Sequence, residues 1–158
     1  MTDHAKGANP ASRRLLARGL AATALTGIAL IHLAQLPDTW RQMPALGMMF
    51  AVLAVAAAAM AAALVHADTR RRWHAAALVG VAPIVGYVLT RATAVPFDRG
   101  DVGNWLEPLG LVALFTEATI VTLYTYSLWN AARDPAAAGA PLPPRSRGRA
   151  HASNQAQP

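Results

Sequence analysis

Four side chains of this 158-residue chain could do chemistry where packing alone does not ask for them: Glu117, His32, Arg91 and Tyr87. Glu117 stands nine residues beyond Pro108 in an apolar run. A helix starting there would carry it on the order of 13 Å along its axis at about 1.5 Å per residue. An ionisable group at such depth in hydrocarbon is costly and by default points to function. The competing reading is a carboxyl that hydrogen-bonds a neighbouring helix and only fixes register. On a helix Gly110, Ala113, Val121 and Tyr124 share its face, so small residues flank it and it should point inward.

His32 follows Leu25 and Ile28 on one face and precedes Gln35, one turn from the expected outer end of the first apolar run. A lone histidine there is either a packing residue or a ligand. Tyr87, Thr90 and Arg91 fall on consecutive turns near the end of the third run. Arg91 is the natural counter-charge for Glu117, for Glu107 or for a bound anion, unless it snorkels to headgroups. His32, Tyr87, Arg91 and Glu117 are thus expected to line one polar pocket open to the outer face.

Other chemistries find less support. Met43, Met48 and Met49 with His32 and Glu117 would suit copper, but no recognised ligand spacing is present and methionine is an ordinary gap filler. Haem would ask for paired histidines at matched depth, whereas His32 is outer and His66 and His74 are inner. The chain has no cysteine. No serine stands beside a base, and no phosphate loop is found. No catalytic residue, metal or cofactor is therefore assigned.

The elements that must position these groups are apolar runs. With 54% hydrophobic and only 14% charged residues, the composition excludes an ordinary soluble domain. Spans are expected at residues 15–36, 45–66, 75–93 and 109–129, each close to the roughly 20 residues a bilayer core needs. The first should stop at Pro37-Asp38, and a signal peptide is disfavoured because no small-residue cleavage site precedes Pro37. The second is built of small side chains that allow close helix approach in lipid, leaving room for a homo-oligomer. Gly80, Pro83 and Gly86 should bend the third. Residues 1–12 and 131–158 are polar or Pro- and Arg-rich, and are expected to be disordered flanks of a domain at 13–130. Arg145, Arg147 and Arg149 of the tail serve solubility and topology, with no nucleic-acid role assigned.

Orientation follows from counting. With both termini inside, eleven Lys and Arg residues are cytoplasmic, against Arg41, Arg91 and Arg99 outside. Trp40 and Trp105 then fall at the outer interface, Trp73 and Trp129 at the inner one. The loop before the fourth run gathers Asp101, Asn104, Trp105 and Glu107 on the outer side. Asn104 and Glu107 have capping-box spacing ahead of Pro108, and Gly100 and Gly103 suggest a folded turn. The loop is also the expected contact for a protein partner.

The segments GYVLTRATAVPFDRGDVGNWLEPLGLVALFTE, IHLAQLPDTW and LGMMF resemble a group of uncharacterised small four-span membrane proteins of actinobacterial type. The resemblance implies an architecture and an actinobacterial source, and no reaction; the location expected is the bacterial cytoplasmic membrane. The sequence thus predicts an all-α, multi-pass four-helix bundle, N-in and C-in, with a structured outer loop. The function expected is a non-enzymatic accessory or sensing subunit. The alternatives are a small transporter or ion-handling protein using Glu117 with Arg91 and His32, and, more weakly, a copper-linked redox protein.

Overall fold

The computed structural model describes residues 9–95 and 100–133, and within them the chain is four helices: α1 Pro10–Gln42, α2 Pro44–His66, α3 Arg70–Ala92 and α4 Pro108–Arg133. All four are long and apolar enough to cross a membrane. Between 22% and 28% of the most apolar stretch of each is buried inside the protein. Leu30, Val55, Leu78 and Phe115 accordingly face outward. Such a surface suits hydrocarbon and would be costly in water. Most of the two segments expected to be disordered lies outside the described residues. Residues 10–12, however, open α1 and residues 131–133 close α4.

Local chemistry explains the helix ends. Asn9 accepts from Ala11 N at 3.2 Å ahead of Pro10, whose missing N–H costs nothing in the first turn. The expected stop at Pro37 does not occur. The helix runs through it for another turn and a half, held by Thr39 Oγ1 donating to Gln35 O at 2.9 Å and by Met43 N donating to Thr39 O at 2.8 Å. It ends instead at Met43, which precedes Pro44 and is driven out of the helical region to φ −146°, ψ 89°. A following proline disfavours the helical conformation without excluding it: Leu36 and Ala82 stay helical before Pro37 and Pro83, whereas Met43 before Pro44 leaves it. α2 restarts at once, and the corner is tight. A Cβ on Gly47 would sit 2.8 Å from Trp40 Cα, so only glycine lets the second helix fold back beside the ring.

α1 packs most extensively on α2 and also on α4; α3 packs on α4 and, less, on α2. The core is built largely of small residues, Ala17 and Ala21 of α1, Ala57 and Ala61 of α2 and Ala76 of α3, packed with Leu25, Ile28, Leu64, Trp73 and Ile120. Small side chains bring backbones close enough for dispersion to hold helices without hydrophobic drive. Two arginines finish α2. Arg18 donates to Leu64 O at 3.1 Å and Val65 O at 2.7 Å, while Arg72 donates to Ala63 O at 2.7 Å and Ala67 O at 3.2 Å. Leu64 O, Val65 O and Ala67 O are carbonyls left without intrahelical partners at this end, while Ala63 O also accepts from Ala67 N at 3.1 Å.

α3 is one continuous helix with Pro83 inside it. Gly80 is its contact residue: a Cβ there would collide with Ile120 and come within 3.0 Å of Glu117 O, so α3 and α4 touch beside the buried carboxyl. One end of the molecule gathers the start of α1, the α2 to α3 turn and the end of α4, with most of the basic residues. The other gathers the α1 to α2 corner and the loop before α4.

Candidate functional site

The four residues expected in one pocket separate into two sites. Glu117 is 1% exposed and His32 is 4% exposed, and they face each other across the α1 to α4 seam with His32 Nε2 3.8 Å from Glu117 Oε1. Phe50 of α2 closes the third side, edge-on to the imidazole with ring centroids 4.9 Å apart. Three helices therefore wall the pair. With α1 continuing through Pro37, His32 lies farther from the helix end than a stop there would place it. His32 lies ten residues from the end of α1, and Glu117 nine residues from the start of α4. At 1.5 Å per residue both are roughly 13 to 15 Å from the same end of the protein.

The hydrogen bonding of His32 decides what the pair can do. Its Nδ1 lies 2.9 Å from the Ile28 carbonyl, which can only accept, so Nδ1 carries the proton. In a neutral imidazole that leaves Nε2 with a bare lone pair turned toward Glu117. Histidine and glutamate together are electroneutral when they hold one further proton, on Nε2 or on the carboxyl, and carry net charge when they lose it. At 3.8 Å the two are electrostatic neighbours rather than hydrogen-bonded partners. The arrangement is a buried two-residue pair on two helices whose net charge turns on one proton.

Arg91 and Tyr87 belong elsewhere. The Arg91 guanidinium lies 3.3 Å from Asp101 Oδ2, donates to Thr90 Oγ1 at 2.8 Å and to Asn104 O at 3.3 Å, and stacks 3.9 Å over the Tyr87 ring. Its carbonyl accepts from Gly103 N at 2.9 Å. Tyr87 in turn donates to Trp105 O at 2.8 Å and meets the indole edge-on. Arg91 is thus not the counter-charge of Glu117. It fastens the loop to the end of α3. The physical reason is reach: a guanidinium at a helix end finds carbonyls and a carboxylate within one loop, without entering the apolar interior. Gly103, at φ +82°, makes the turn that brings these carbonyls round.

The loop residues divide by role. Asp101 binds Arg91, Asn104 and Trp105 offer their carbonyls to the clamp, and Glu107 caps α4. The cap differs from the expected box. Glu107 itself accepts from Leu109 N at 3.0 Å through Oε1 and from Gly110 N through Oε2, with no part for the Asn104 side chain. A carboxylate there also suits the positive end of the helix. Gly110 leaves room for Tyr87, whose Cε2 would lie 2.6 Å from an added Cβ. Val102, Trp105 and Leu106 remain on the surface, Leu106 at 81% exposure.

Among the described residues no three His, Cys, Asp or Glu side chains converge. Met48 and Met49 are exposed on α2. One polar pair escapes the sequence reading: Tyr124 hydroxyl and His74 Nδ1, 2.6 Å apart between α4 and α3. Its only signal is the seven-residue step from Glu117 to Tyr124, which keeps both on one face of α4. No family model matches the chain, and neither a curated protein nor a solved structure matches it.

Proposed function

We propose that the chain is a four-helix transmembrane bundle of a bacterial cytoplasmic membrane, with both termini inside, acting as a non-enzymatic accessory or sensing subunit through its outer loop. The observation that carries this reading is the Arg91 clamp, which ties residues 101–105 to the end of α3 while Val102, Trp105 and Leu106 stay exposed. A loop ordered by its own backbone and presenting apolar side chains is prepared for contact, since little freedom is lost on binding. The topology rests on charge. Among the described residues Arg13, Arg14, Arg18, Arg70, Arg71, Arg72 and Arg133 gather at one end, and Arg41 and Arg91 at the other. A photo-crosslinker at Val102 in native membranes should capture one defined protein, and Arg91→Ala should abolish that capture. Capture of many proteins equally, or capture indifferent to Arg91→Ala, would sink the reading.

A second reading, ion or proton handling, is favoured by the buried His32 and Glu117 pair. Arg91 has no part in it. Glu117→Gln keeps the size of the side chain but removes its titration, and should abolish a proton-coupled flux in proteoliposomes. Wild-type vesicles that carry no such flux across a broad panel of cations and solutes would exclude this second reading and leave the first untouched.

A further inference from the structure

At the end opposite the loop, three distant parts of the chain converge on an open cavity of about 550 Å³: Arg13 and Arg14 of α1, Arg70 at the start of α3 and Arg133 at the end of α4. The volume lies within the roughly 300 to 1,000 Å³ of small-molecule sites. The sole carboxylate among the described lining residues is Asp68, and its Oδ1 accepts the Trp73 indole N–H at 2.7 Å. Among the described residues Arg13, Arg14 and Arg70 have no carboxylate within 4.0 Å, and Arg133 stacks on Trp129 at 4.2 Å.

Arg18 and Arg72 at the same end each bond two carbonyls at the end of α2 and just past it, so basic residues here are not interchangeable. Topology alone asks only that arginines lie on this side of the membrane; it does not ask residues 13, 70 and 133 to face one concavity. Like charges brought together around low-dielectric walls repel one another and concentrate a positive field. An anion removes the repulsion and gains the donors. Guanidinium groups match phosphate oxygens in planar, paired hydrogen bonds.

We propose that this cavity binds a phosphate group, carried either by an anionic phospholipid headgroup or by a soluble phosphate compound. The site is independent of the loop and of the Glu117 pair.

Arg70 and Arg71 supply a matched test, because they are adjacent, equal in charge and exposed, and only Arg70 lines the cavity. Full-length protein in mild detergent is titrated with phosphatidylglycerol, with phosphatidylcholine and, separately, with inorganic phosphate, and bound copies are counted by native mass spectrometry. Phosphatidylglycerol should be retained over phosphatidylcholine, and Arg70→Gln should weaken retention about fivefold, the effect of one basic residue near an anionic surface. Arg71→Gln should change it less than twofold. Arg13→Gln with Arg14→Gln gives a second, independent reduction, and helical circular dichroism confirms that each variant is folded. Binding of inorganic phosphate alone, with the same Arg70 dependence, assigns the site to a soluble compound; binding of the lipid alone assigns it to a headgroup. Equal effects of Arg70→Gln and Arg71→Gln, or binding of neither probe, would overturn the proposal.

Discussion

The buried pair and the loop clamp use the same kinds of charged side chain under opposite conditions. Glu117 is caught in mid-helix, where only groups at its own height on neighbouring helices can reach it, and it meets His32. Arg91 is at a helix end, where a loop folds back and offers carbonyls, an aromatic face and Asp101. A buried charge takes its partner by depth; a charge at a helix end takes its partner by chain proximity. Opposite sign alone, which would have joined Arg91 to Glu117, decides neither.

The largest effect expected from breaking this contrast comes from Glu117→Ala. It leaves a buried imidazole facing a void and should destabilise the protein by about 2 kcal/mol, near the upper end for polar contacts between membrane helices with a cavity added. Unfolding by titration with a denaturing detergent reads it. Arg91→Ala should cost less, about 1.5 kcal/mol, the worth of a charge-assisted hydrogen bond at the lower end, yet act locally. Amide exchange at Gly103 should speed up several-fold while amides around His32 keep their protection. Arg91→Lys keeps the charge but loses the planar fork, and should restore only part of that protection. Asp101→Asn should be smallest, at most about 0.5 kcal/mol and sensitive to salt, because its carboxylate is 37% exposed. An Asp101→Asn effect as large as that of Glu117→Ala would erase the distinction between the two regions.

How far these features are legible in the sequence follows the same division. The four helices are, because an apolar run of span length is a local property. The Glu107 cap is nearly so, although the helix begins one turn later than the box spacing implied. The end of α1 is not: Pro37 signals a stop, but a helix survives one internal proline when the turns on either side remain bonded. That misplacement puts His32 nearer the surface than it is, although the sequence still groups it with Glu117 in one pocket. What the sequence does not separate is Arg91, which opposite charge alone adds to the same pocket. His74 with Tyr124 goes unseen for a related reason, since residues fifty apart meet only once the α3 to α4 seam is known. The basic cavity is invisible for the same cause. Charge counting groups its arginines by side of the membrane and cannot say which of them share a concavity.

The central claim is that Glu117 is coupled to His32 and not to Arg91. Two double-mutant cycles on stability in the same detergent system test it directly, Glu117→Ala with His32→Ala and Glu117→Ala with Arg91→Ala. The account expects a coupling of about 1 kcal/mol in the first and additivity within about 0.5 kcal/mol in the second, as for sites without shared partners. An additive first cycle with a coupled second would contradict it.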